Sequence, residues 1–313
     1  MREWFYERGV GEVRAVLVES RRIVEARVRV EGVVEAGTVL AAKLVRGGRH
    51  ALARADGVDY LLPKGAHGMT EGAALAIEVS REAIGGGEPW KRPLARVSDD
   101  APRPAPAVEG RDLPFPGADD ELAAVGWDDL LDEVRSGIIA FPGGELRVSL
   151  TPAMTLIDVD GTLPVGELAV AGARAAGQAI RRHGIAGSIG IDLPTVGGKA
   201  ARAAAAAAID DALPPRFERT AINGFGFVQI IRPRRHASLF ELAADAAPFE
   251  ARAILRRAGR LTGAIRIDAH PVVVAEIERQ SDWLDRLQRQ VGGAVTLRAD
   301  PAVPMSAAHA QSL

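Results

Sequence analysis

The chain has 313 residues, 47% of them hydrophobic, and a mean hydropathy of +0.04, enough for a full core and for two domains or one with lobes. It has no cysteine, which excludes disulfides and thiolate zinc sites, and its net charge of −2 confines any nucleic-acid binding to local basic surface. No apolar run reaches membrane-spanning length, and charges in MREWFYERGVGEVR fall where a signal peptide needs an apolar core, so a cytoplasmic protein without a membrane partner is expected.

Residues 11–97 read as all-β. GEVRAVLVESRRIVEARVRV predicts two strands turning about Glu19–Arg22. VLAAKLV, HALARA, DYLLP and AALAIEVSREAI follow, separated by Gly, Asp and Pro signals. Five or six short strands of this kind suit a small barrel, either purely structural or of the OB type that binds oligonucleotides. Residues 98–117, rich in Pro, Asp and Ala, read as a linker. WDDLLDEV (Trp127 to Val134) predicts a short helix, and IIAFPGGELRVSL a hairpin turning at Pro142–Gly144.

The most informative segment comes next. MTLIDVDG (Met154 to Gly161) and SIGIDLPT (Ser188 to Thr195) are β-prone runs that end in Asp158 and Asp192. Between them, Gly166 to His183 has helical spacing, with Leu168, Ala169, Ala173, Ala176 and Ile180 on one side and Gly184 as a stop. Strand, helix and strand at this length predict a parallel βαβ unit, with both carboxylates at the strand ends where open α/β sheets bind ligands. Neighbouring strands lie about 5 Å apart, close enough for two carboxylates to share a divalent cation. A lone Asp at a strand end is an ordinary cap, but a matched pair points to a site. Asp160 lies two residues after Asp158 and shares its face while the chain stays extended.

A helix over Gly198 to Leu213 follows, then FERTAI and FGFVQIIR as strands. Ser238 to Glu241 has capping-box spacing and predicts a helix start, with Pro248 interrupting. GAIRIDAHP, VVAEIERQSDWLDRLQRQVG and AVTLRAD read as strand, helix, strand, with Ile277, Leu284 and Leu287 as an apolar stripe. His183 and His270 are explained by a helix end and a turn before Pro271. RPRRH, containing Arg232, Arg234, Arg235 and His236, reads either as an RNA contact or as a solvated charged turn.

LIDVDGTL resembles the first motif of haloacid-dehalogenase-like phosphatases, which would make Asp158 a nucleophile and Asp160 an acid/base. Lys199 could serve as that family's lysine. Asp210–Asp211, however, lie in an alanine-rich helical stretch and not at a strand end.

A wider resemblance covers most of the chain in the correct order. WDDLLDEVRSGIIAFPGGELRVSLTPAMTLIDVDG, ARAAGQAIRRHGIAGSIGIDLPTV and INGFGFVQIIRPRR are similar to the catalytic domain of the ribonuclease E/G family, and VEAGTVLAAKLV, DYLLP and EVSREAIGGG resemble its OB-type RNA-binding domain. The resemblance implies an α/β protein, α+β overall. An N-terminal OB-type barrel (1–97) and a linker (98–117) would precede an α/β nuclease domain of RNase H-like and DNase I-like type (118–250). The strand–helix–strand pattern read above adds a small C-terminal α/β lobe (251–304), and residues 305–313 are expected to be a disordered tail.

The same resemblance implies a magnesium-dependent endoribonuclease, with manganese as a substitute, that cuts single-stranded RNA to 5′-phosphate and 3′-hydroxyl ends in RNA processing or decay. A non-catalytic RNA-binding descendant is the alternative. Asp158 and Asp192 match the family's metal-binding aspartates, and Asp160 falls on its asparagine. Arg216 matches a basic residue near the scissile phosphate. Tyr60 falls on an RNA-stacking aromatic, with a half-buried barrel tyrosine as the alternative, and Lys91 and Arg92, in PWKRP after the barrel, are a further candidate phosphate contact beside Arg232, Arg234 and Arg235. Three departures are expected to matter. The family's Cys-Pro-x-Cys zinc link between subunits is missing, so no zinc is expected; the linker is too short for a 5′-monophosphate sensor; and Thr195 replaces an acidic residue.

Overall fold

A computed structural model describes residues 2–85, 91–117 and 119–313. The chain opens with an antiparallel meander of β1 (Arg2–Arg8), β2 (Glu12–Glu19) and β3 (Arg22–Val30). The β2–β3 hairpin turns through Ser20 and Arg21, both at positive φ (50° and 63°), the backbone that suits the right-handed twist of its strands.

A closed barrel follows, built from β4 (Val39–Arg46), β5 (Ala51–Ala55), β6 (Val58–Leu62), β7 (Ala74–Arg81) and β8 (Leu94–Ser98). Around the barrel the order is β4-β5-β6-β8-β7, and only β6 and β8 run parallel. Leu44, Ala51, Ala53, Tyr60, Leu62, Ile77 and Val79 fill its interior. Gly86 and Gly87, which end the motif EVSREAIGGG, lie outside the described residues. Residues 98–117 are more than a linker. Arg103 bridges back to Val39, and β9 (Arg111–Leu113) pairs parallel with β1, giving a first sheet ordered β3-β2-β1-β9.

After α1 (Trp127–Ser136) come β10 (Ile138–Phe141), β11 (Gly144–Leu150), β12 (Thr155–Gly161), α2 (Val165–Arg182), β13 (Gly187–Asp192), α3 (Lys199–Ala212), β14 (Glu218–Arg219) and β15 (Phe227–Arg232). Their strands form one six-stranded sheet, β10-β11-β12-β13-β15-β14, in which β12 and β13 are parallel and joined by α2. The apolar stripe of α2 is buried with α3 against one face, together with Ile157, Val159, Ile189 and Ile191. Val16, Ile23 and Val28 of the first sheet enter the same core. Burying each such side chain is worth about 1.5–3 kcal/mol, so this core fixes which face of the sheet stays in water.

The C-terminal part contains α4 (Leu239–Ala244), α5 (Ala246–Ala258), β16 (Ile265–Ala269), α6 (Pro271–Arg279), α7 (Trp283–Val291), β17 (Val295–Ala299) and β18 (His309–Ser312). Ser238 and Glu241 form the capping box of α4, as their spacing predicts. The expected strand–helix–strand is present, with its helix divided into α6 and α7. Residues 305–313 do not form the expected disordered tail: Met305–Ala307 is a 3-10 turn, and β18 pairs with β16. The lobe is tied to the first sheet by buried ion pairs. Arg14 meets Glu7 and Glu12 at 2.7 Å each, while Arg256 reaches Glu7 at 2.8 Å and Arg252 reaches Glu12 at 3.0 Å. Among the described residues no helix is long and apolar enough to cross a membrane.

Candidate active site

Asp158 on β12 and Asp192 on β13 are direct register partners in adjacent parallel strands. Alternation does the rest: Ile157, Val159 and Ile191 turn into the core, so Asp158, Asp160 and Asp192 project from the open face of the sheet, all three exposed. Register continues the row in both directions. Ile138 stands opposite Arg147, Arg147 opposite Asp158, and Phe227 opposite Asp192. One cation therefore lies beside the aspartate pair on one side and one aromatic on the other. Glu145 faces Asp160 in the adjoining row and holds the Arg147 guanidinium at 2.8 Å. That bond to Glu145, and then the charges of Glu145, Asp160 and Asp158, raise the Arg147 pKa above its ordinary value.

The floor beside the pair is apolar. A Cβ at position 190 would lie 2.6 Å from the Phe227 ring and 2.9 Å from Leu156, so glycine there lets ring and leucine close over the strand. Leu156 remains 36% exposed in this floor. The turn leading into β15 stands at the carboxyl end of β13. Leu193 N–H donates to the Gly226 carbonyl there, and the Thr195 hydroxyl donates to the Phe225 carbonyl at 3.0 Å.

Magnesium takes hard oxygen ligands, keeps several waters, and is commonly held by one or two carboxylates together with substrate phosphate. The donor set of Asp158 and Asp192 fits that habit. Among the described residues no group of three or more His, Asp or Glu side chains converges into a metal cage. Asp160 stands two residues beyond Asp158 on the same face, opposite Glu145.

The other expected site residues lie elsewhere. Tyr60 is 2% exposed inside the barrel core, so its ring cannot stack on RNA, and burial raises its pKa. Arg216 precedes β14, whose Glu218 shares the level of Ile231 and Ser188. That level is four residues, about 13 Å of strand, from Asp192, and Arg216 lies two residues further out. Arg232 stands opposite Gly187 at the far end of β13 and donates to the Ile185 carbonyl at 3.0 Å; desolvation lowers its pKa. Arg234 is ion-paired with Glu241, and Arg235 donates to the Ala36 carbonyl at 3.4 Å. The RPRRH run therefore braces the barrel and α4 and does not approach the aspartates. Lys91 lines a 340 Å³ cavity with Thr151, Thr155, Gly187 and Ser188, at the amino ends of β12 and β13, while Arg92 is exposed nearby.

His183 is buried against Glu133 (2.8 Å) and Phe240, and His270 caps α6, so both play the local parts their positions suggest. Asp210 lies within α3 and is bonded by Arg219, away from any strand end.

No protein-family model matches the chain, and no curated protein matches it.

Proposed function

We propose that this protein is a magnesium-dependent endonuclease acting on single-stranded RNA, a compact relative of the ribonuclease E/G family. The observation that carries the reading is the register pairing of Asp158 with Asp192 on an open sheet face. Two carboxylates on neighbouring strands are suited to one magnesium ion, which when bound would orient and activate a water and neutralise charge on the phosphate. Arg147 contributes donors for the equatorial oxygens of that phosphate, the part the resemblance gave to Arg216. The exposed position of the pair admits a polymer, where a small-molecule enzyme would favour an enclosed pocket.

The barrel supports the same reading. Its strands close in the order first, second, third, fifth, fourth, with third and fifth parallel, and we assign it to the OB type. In such barrels the loop between the first two strands contributes to oligonucleotide binding. Here that loop presents exposed Arg46, Arg49 and His50, and the loop between β6 and β7 adds Lys64 and His67. These cations are a better phosphate track than Tyr60 is a stacking platform.

The deciding experiment is cleavage of a 5′-labelled single-stranded RNA in magnesium or EDTA by the wild type and by Asp192→Asn. Magnesium-dependent cuts that disappear in the variant are expected. RNA that is bound but intact under every condition would replace this reading with a non-catalytic RNA-binding protein.

A further inference from the structure

Phe225 is 82% exposed, the most exposed large hydrophobic side chain among the described residues. Its backbone is nevertheless tightly built. The Asn223 side chain accepts from the N–H of Phe225 at 2.9 Å and of Phe227 at 3.1 Å, and Gly226 N–H closes the turn onto the Asn223 carbonyl. The Phe225 carbonyl is held from the other side by Thr195, three residues after Asp192. Gly226 has φ of 94°, and any Cβ there would collide with the Leu193 carbonyl, so the turn is seated against the end of β13. An exposed ring on a turn fixed at both ends, beyond the carboxyl end of the strand that carries Asp192, offers a free π-face on which a base can stack.

We infer that Phe225 is a stacking platform for the base of the nucleotide next to the scissile phosphate, on the carboxyl-end side of the Asp158–Asp192 pair. The inference rests on the proposal that single-stranded RNA lies across that pair. Every base offers a π-face, so one aromatic binds many sequences yet demands an unpaired base. The Leu156–Phe227 floor over Gly190 lies on the other side of the pair, giving the strand an apolar seat before and after the phosphate. A duplex, with its bases paired and stacked, cannot use either seat.

The test uses a single-stranded RNA decamer carrying 2-aminopurine at one position in turn, bound to full-length Asp192→Asn so that it stays whole. Quenching at one position is expected, lost in the double variant with Phe225→Ala and kept with Phe225→Trp, while Phe225→Ala weakens binding about tenfold, the scale of one base–aromatic stack. Unchanged quenching and affinity in Phe225→Ala, for RNA that binds, would overturn the platform. An effect of Phe225→Ala on oligomeric state alone would also overturn it, assigning the ring to a contact between copies. Parallel cleavage assays with the Asp192-intact proteins separate the two ideas. Quenching without any cleavage keeps the platform and sinks the nuclease, whereas cleavage indifferent to Phe225→Ala does the reverse.

Discussion

Arg147 stands directly across the β11–β12 pair from Asp158. It is the cation that register brings to the aspartate pair, and Glu145 holds its guanidinium at 2.8 Å. A guanidinium tethered in this way is charged at every relevant pH and is positioned before substrate arrives. Arg147→Ala is expected to lower the single-turnover cleavage rate by about 100- to 1000-fold, the range for removing one charge-stabilising donor, with a smaller change in RNA affinity. Arg147→Lys should recover only part of the rate, because an ammonium lacks the planar fork. A rate within twofold of wild type for Arg147→Ala would remove this residue from the mechanism.

Asp160 should behave unlike its two neighbours. Asp158 and Asp192 face one another, whereas Asp160 faces Glu145. Asp158→Asn is expected to reduce magnesium-dependent cleavage by at least about 100-fold. Its melting temperature should stay within a few degrees of wild type, because the exposed carboxylate supports no core. Asp160→Asn should retain cleavage and need more magnesium, since it removes one negative charge near the ion without removing a ligand. Magnesium titrations of the cleavage rate for both variants check this. Equal losses in the two would make Asp160 a ligand.

Much of this site can be read from the sequence, because alternation decides which side chains share a face once two runs are read as strands. LIDVD and IGID thus place their aspartates together, with one helix of suitable length between them. Arg147 and Phe227 cannot be read in the same way. Their place depends on cross-strand register, and a slip of one residue would send them to the opposite face. The RPRRH run illustrates direction. Read as the end of a strand parallel to β13 it would lie beside Asp192, but β15 is antiparallel and its end falls at Gly187. The burial of Tyr60 follows from alternation in VDYLL, where Tyr60 and Leu62 share a face and both point inward. The pairing of the last residues through β18 has no comparable signal, since HAQS carries no apolar alternation.

Tyr60 gives a clean test of the barrel. At 2% exposure its ring is part of the core, and truncation should cost stability and not recognition. Tyr60→Ala is expected to destabilise the protein by about 3–5 kcal/mol, the usual scale for deleting a buried aromatic ring. Tyr60→Phe, which keeps the ring, should leave RNA affinity unchanged. Urea unfolding and RNA titration of the two variants provide the measurements. A tenfold loss of RNA affinity in a stable Tyr60→Phe would mean that the hydroxyl reaches RNA after all.

His236 should set part of the acid sensitivity of the fold. Burial pushes its pKa down to about 4, with the positive charges of Arg27, Arg232 and Arg235 acting in the same direction. The unfolded chain binds this proton at about pH 6.5, so between those values protonation favours unfolding. The stabilisation is complete above about pH 6.5 and is lost progressively as the pH falls towards 4. With the ring only partly shielded from water, the loss is of order 2 kcal/mol, less than the full shift would give. Glu82 works the other way, because burial raises its carboxyl and favours the fold as pH falls. Comparing wild type with His236→Gln cancels that contribution. The difference in unfolding free energy between the two proteins should therefore shrink from pH 7 to pH 4.5, with the variant flatter than wild type. Parallel curves across that range would show that His236 stays solvated and titrates normally in the folded protein.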